Sequence, residues 1–198
     1  GTAQKTPTGY MTTGDYYFDD FPEASVWFST AEHTVERLAL DIPGSPTTVA
    51  GTYNQPGNED GDEANTGKLN TPRGLSWEDS VRELYIADYG NHLIRQVDNY
   101  LLTLNVSTQE GGGAELSGPT DLVAIWIGGE VSYVHLYVVE DRDDGQNGRV
   151  AHARKSGFID TFWLLSDYLS PGPSDPEGSG PLEMGAHTRL IRDPDTDT

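Results

Sequence analysis

The chain has 198 residues, the size of one ordinary domain. With 12 Lys and Arg against 32 Asp and Glu, its formal charge is −20. That balance works against nucleic acid and anionic membrane surfaces as partners, because both reward clustered cations. No apolar run approaches the ~18 residues of a membrane-spanning helix, and the absence of cysteine excludes disulfides, thiolate metal sites and a thiol nucleophile.

Three of the cations are lysines (Lys5, Lys68, Lys155) and the rest are arginines. Scarce Lys beside abundant carboxylates suits a salty medium that screens repulsion; it also simply keeps a protein soluble. Asn105-Val106-Ser107 is the intact N-glycosylation sequon, whereas Asn65-Thr66-Gly67 and Asn70-Thr71-Pro72 fail the pattern. Gly1 is not an initiator, which leaves room for a leader removed before it. Together these features lean toward an extracellular protein.

One layout repeats along the chain. The first unit opens with Pro7-Thr8-Gly9-Tyr10, continues through a buried strand at Val26-Trp27-Phe28 and a strand at His33 to Leu38, and closes at Thr47 to Gly51. The second opens with Thr71 to Leu75, turns over Trp77 to Ser80, and buries Leu84 to Asp88. After a turn at Tyr89 to His92 come strands at Leu93 to Val97 and Tyr100 to Val106. The third opens with Pro119 to Leu122, buries Leu136 to Val139, turns at Asn147-Gly148, and ends on a strand over Gly157 to Leu165. Four short strands between turn residues predict an all-β chain of propeller blades, each a four-stranded antiparallel sheet. The blades fall over about residues 7–52, 72–108 and 119–166. A flexible loop over 170–181 follows, then the start of a fourth blade over 182–198 with an opening strand at Met184 to Ile191. Three blades and a fraction do not close a ring, so either the chain belongs to a longer one or its open edges pair with identical copies as a ring or filament.

The stretch Val49 to Asp98 resembles the NHL-repeat propeller family. It carries Val49-Ala50-Gly51-Thr52, the acidic glycine loop Gly57 to Asp62, Lys68-Leu69-Asn70-Thr71-Pro72-Arg73-Gly74-Leu75, and Leu84-Tyr85-Ile86-Ala87-Asp88-Tyr89-Gly90-Asn91-His92-Leu93-Ile94-Arg95. Asn91-His92-Leu93 is the triplet that names the repeat. The flanking units replace it with His33-Thr34-Val35 and Asn147-Gly148-Arg149. In this reading Leu84, Ile86, Leu93 and Val97 pack between blades. Gly90 supplies a left-handed turn, Asp88 and Asn91 bond to local backbone, and His92 is a structural hairpin histidine. The resemblance implies a propeller scaffold. Some related propellers, the peptide-amidating lyases among them, gather histidines from different blades around a central metal, which makes a metal-dependent lyase or hydrolase the second reading.

Glu140 to Gly148 alternates carboxylates with glycine and admits two readings. Asp141, Asp143 and Asp144 could wrap calcium with oxygen ligands, although position 12 counted from Asp141 is His152 and not the Glu of an EF-hand. Alternatively the segment is a solvated hairpin insertion; the same choice holds for Asn58 to Glu63. None of the five histidines forms a short metal-binding pair in sequence, and no nucleophile elbow or phosphate loop is present. Trp27, Trp126 and Trp163 could stack on sugar but read better as core. The sequence therefore points to a non-catalytic extracellular interaction module, glycosylated at Asn105, whose partners are proteins or identical copies.

Overall fold

The computed structural model describes residues 5–18, 21–61, 66–98, 107–109, 116–128, 132–141, 148–156 and 161–169. These form twelve strands and one 3-10 turn: β1 (Pro7–Phe18), β2 (Phe21–Thr30), β3 (Val35–Ala39), β4 (Thr47–Ala50), β5 (Pro72–Glu78), β6 (Glu83–Asp88), the turn Tyr89–Asn91, β7 (Leu93–Asp98), β8 (Ser107–Gln109), β9 (Pro119–Ile127), β10 (Tyr133–Glu140), β11 (Arg149–Ser156) and β12 (Thr161–Leu169). The chain is all-β, as the short strands between turn residues predict. Three sheets result, ordered β1-β2-β3-β4, β5-β6-β7 and β8-β12-β11-β10-β9. Every pairing is antiparallel except β12 with β8.

The sheets pack face to face like successive blades. In β6, Leu84 and Ile86 join Trp27, Val35, Leu69, Leu75, Trp77 and Val97 in a core between the first and second sheets. Their neighbours Tyr85 and Ala87, pointing the other way, join Ile94, Leu122, Ala124, Leu136, Val138 and Ala151 in a core between the second and third. The middle strand is thus apolar on both faces, the pattern of a sheet covered on both sides. Of the residues assigned to inter-blade packing, Leu84, Ile86 and Val97 are buried and Leu93 is half-buried.

The first strands of the sheets run side by side. Trp77 N in β5 donates to Thr12 Oγ1 in β1 at 3.4 Å. In turn Ser76 Oγ and Glu78 Oε2 of β5 accept from Ala124 N and Trp126 N of β9, at 3.0 and 3.2 Å. Contact this close leaves no room for a side chain at two glycines. A Cβ on Gly14 would fall 2.0 Å from the Trp77 ring, and one on Gly74 would fall 2.5 Å from Asp121 Cα.

Several boundaries differ from the sequence reading. Trp77 is not in a turn: it lies in β5 and stacks on Trp27, with ring centroids 4.5 Å apart. The left-handed residue of the second hairpin is His92 (φ 58°), not Gly90. Gly90 is required for space instead, since a Cβ there would meet the Asn70 side chain at 2.6 Å. The last strand is Thr161–Leu169, and β8 joins that third sheet. Among the described residues the second sheet has three strands; the strand expected at 100–106, the loop 170–181 and the partial blade 182–198 lie outside them.

Candidate functional site

Chemistry-bearing side chains gather in three places. The first is a buried cation beneath the acidic loop. Arg95 in β7 is 0% exposed; its Nη2 meets Asp60 Oδ1 at 2.6 Å and its Nη1 meets Asp88 Oδ2 at 3.4 Å. The carbonyl oxygens of Asn58, Glu59 and Lys68 accept from the same guanidinium at 3.3 to 3.5 Å. Carboxylates and carbonyls converging on one point are how a loop wraps a metal ion. Here the centre is occupied by a side chain of the chain itself, so the Asn58 to Asp60 part of the loop is organised by arginine. Asp88 also accepts from Asn70 N and Asn91 Nδ2, each at 2.7 Å. Burial nevertheless pushes its carboxyl up to about 6, against the opposing pull of those donors and of Arg95. Asn91 reaches further, donating to Gly57 O at 2.6 Å.

The second place is the pair of hairpin turns that precede β3 and β7. His33 (φ 64°) and His92 (φ 58°) both adopt the left-handed conformation. Each turns its Nδ1 toward the next sheet: His33 accepts from Thr71 N at 3.0 Å, and His92 from Gly118 N at 2.9 Å. Thr71 and Gly118 immediately precede Pro72 and Pro119, and they too have positive φ. The same device thus fastens successive sheets twice. His92 is a structural histidine of this kind, and the Asn91-His92-Leu93 triplet divides its labour: Asn91 ties the acidic loop, His92 ties the next sheet, and Leu93 starts β7.

The third place lies on the third sheet, on the side away from the core. Tyr137 is opposite His152 and His135 is opposite Arg154 across β10 and β11. His135 Nδ1 and His152 Nε2 are 2.8 Å apart. Their ring planes differ by 17° and their centroids lie 5.1 Å apart. That separation equals the N···N distance plus the two ring radii, which demands rings edge to edge in one plane rather than face to face. His152 stacks on Tyr137 at 4.6 Å, Tyr133 meets His135 edge-on, and Arg154 sits 4.5 Å over the Tyr133 ring. Burial lowers the pKa of both histidines, helped at His152 by His135 and at both by Arg154. Sequence reading missed this pair because the two residues are far apart along the chain. The signal was the hairpin register: once Glu140 pairs with Arg149, Tyr137 falls opposite His152.

Of the proposed calcium ligands, Asp141 is described, and its backbone N donates to Gly118 O at 2.9 Å. Asp143 and Asp144 lie outside the described residues, as does Asn105. Among the described residues no three His, Cys, Asp or Glu side chains form a group able to hold a metal. Trp27 is core, as expected, and Trp126 packs partly buried against the second core. No helix among the described residues is long and apolar enough to cross a membrane.

No family model and no curated protein matches the chain. A solved structure of a Bacteroides thetaiotaomicron protein of unknown function is similar, at 19% identity and a TM-score of 0.44. The similarity covers 60% of this chain and 30% of that one, so the match spans less than a third of its neighbour's length.

Proposed function

We propose that this chain is a non-catalytic interaction module, a propeller-type scaffold similar to NHL repeats that docks protein partners or further copies of itself through its outer sheets. One observation carries the reading. The middle sheet is covered on both faces, whereas the exposed large apolar residues Met11, Leu40 and Ile42 belong to the first sheet and its loop, and Ile127 to the third. Met11 pairs with Phe28, on the face of the first sheet opposite Thr12 and Trp27. Apolar groups left open on the two terminal sheets are what a docked neighbour would cover.

Sedimentation velocity of the full chain over a range of concentrations tests this. Expected is association, alone or with an isolated partner, that Met11→Asp or Ile127→Asp abolishes without loss of the far-UV signal. Binding that both variants leave intact would overturn it. An extracellular site of action and a glycan on Asn105 belong to the same proposal. They rest on the acidic balance and the sequon, and a mass shift after endoglycosidase treatment of native material tests the glycan.

A further inference from the structure

Two imidazole nitrogens that face each other at 2.8 Å on a sheet surface are ordinarily a proton's site. They are also close to the spacing of neighbouring ligands on one metal ion. Nitrogens ~2.0–2.1 Å from a common ion lie about 2.9 Å apart when they subtend a right angle and about 3.4 Å apart in a tetrahedron. The observed spacing is that of the N–H···N bond, and it leaves the two nitrogens near enough for one ion to reach both once the rings turn. We propose that His135 and His152 form a two-imidazole site for a divalent transition-metal ion, with Cu2+ preferred.

The surroundings define the selectivity. Tyr133, Tyr137 and Arg154 frame the pair on β10 and β11, and Val123 and Ile125 stand opposite Tyr137 and His135 on β9. Two imidazole nitrogens are not the oxygen ligands that the hard cations Ca2+ and Mg2+ require. The positive charge of Arg154 opposes any cation, which leaves nitrogen bonding as the source of affinity and favours the ion that bonds imidazole most strongly, Cu2+ over Ni2+ and Zn2+. His152 stacked on Tyr137 and His135 edge-on to Tyr133 hold the rings near one another before the ion arrives. To bind, the rings turn about Cβ–Cγ until their lone pairs meet beside the N···N line. The proton between them moves through solvent to the other nitrogen of the donor ring; both rings stay neutral and no net proton is released. Water completes the coordination. This site is independent of the docking role proposed above.

The test is titration of the full, chelator-stripped chain with Cu2+, Ni2+, Zn2+ and Ca2+, followed by electron paramagnetic resonance of the copper form. Expected is one Cu2+ per chain, hyperfine coupling to two imidazole nitrogens, weaker Ni2+ and Zn2+, and no competition by Ca2+. His135→Ala and His152→Ala should each weaken Cu2+ by about 10–100-fold or more, since losing a ligand costs at least as much as losing an outer partner. A second readout needs no variant: substoichiometric Cu2+ should broaden the ring resonances of His135 and His152 first. Broadening that begins at His33, His92 or His187, or copper affinity that survives both alanine variants, would overturn the assignment.

Discussion

The two junctions between sheets share one fastening and differ in filling. At the first, His33 accepts from Thr71 N, and the interior is aromatic, with Trp27 stacked on Trp77 over Gly14. At the second, His92 accepts from Gly118 N, and the interior is mostly aliphatic and small, with Leu122, Leu136, Val138 and the alanines 87, 124, 151 and 153 around the buried ring of Tyr85. Polar cross-links follow the same division. The first junction has two long bonds, Trp77 N to Thr12 Oγ1 and Asp15 N to Asp79 Oδ1, each 3.4 Å; the second has the two shorter ones that Ser76 and Glu78 accept. What repeats is the backbone geometry at the rim; what fills the gap is free to vary so long as volume is conserved. The chain between the sheets differs too, because the acidic loop crossing the first junction is wrapped around Arg95.

The aromatic junction should therefore break hardest at one residue. Trp77 is 8% exposed, stacks on Trp27 and fills the space above Gly14. Trp77→Ala should cost about 3–5 kcal/mol, read as a fall in the urea midpoint. The indole that leaves strands the ring of Trp27 beside a cavity that Gly14 has no side chain to fill. Leu136→Ala, at the second junction, should cost toward the lower end of ~2–5 kcal/mol, because its alanine-rich surroundings have less large side chain to strand.

Asp88 gives a second contrast, this time in pH. It ends β6 and accepts from Asn70 N, as Glu140 ends β10 and accepts from Ser117 N at 2.6 Å. Its folded-state value of about 6 stands above the ordinary 3.8, so between those limits the folded chain holds a proton that the unfolded chain has released. By linkage, stability from this group is greatest below about pH 4 and is lost as pH rises through about 6, a change of at most ~3 kcal/mol. Glu32 and Glu59, held below the usual range by the Thr6 backbone and by Lys68, act in the opposite sense as pH falls through their folded values. Comparing the pH dependence of stability in wild type and Asp88→Asn isolates the term. Equal slopes between pH 4 and 6 would refute it.

A smaller effect tests the close approach of inner strands at the second junction. Gly74→Ala puts a methyl 2.5 Å from Asp121 Cα, a backbone atom that cannot swing aside. About 1–3 kcal/mol should be lost. By contrast Gly44→Ala, whose nearest neighbour would be a carbonyl oxygen at 3.9 Å, should be almost silent.

These contrasts show what the sequence could reveal and where it ran out. The strands at Leu84 to Asp88 and Leu136 to Val139 were legible because a short apolar run between turn residues has few other homes; the first is buried on two sides, the second everywhere but at the half-buried Tyr137. Trp77 was misread because Ser76, Glu78 and Asp79 around it look like turn chemistry. Yet Ser76 and Glu78 are buried as acceptors for β9, a role visible only when the neighbouring sheet is in place. Arg95 looked like one cation among twelve; its place at the centre of the acidic loop depends on carbonyls that carry no sequence signal. The histidine pair was hidden for a related reason, since cross-strand neighbours become adjacent only through register.

The smallest expected effect separates the two fastenings most sharply. Thr71 is exposed and Gly118 is buried, though both donate to a left-handed histidine at nearly equal distance. Asparagine tolerates the left-handed region, so His33→Asn and His92→Asn remove the imidazole acceptor without a large backbone penalty. Water can take the place of His33 at the exposed Thr71 N–H, and that variant should lose only a few tenths of a kcal/mol. The buried Gly118 N–H has no such replacement, and His92→Asn should lose on the order of 1 kcal/mol. Amide hydrogen exchange reads the same difference locally: Gly118 should exchange much faster in His92→Asn, while Thr71 should change little in His33→Asn. Equal acceleration at both would mean that solvent reaches the two rims alike, and that the histidines matter for turn shape rather than for the bond they accept.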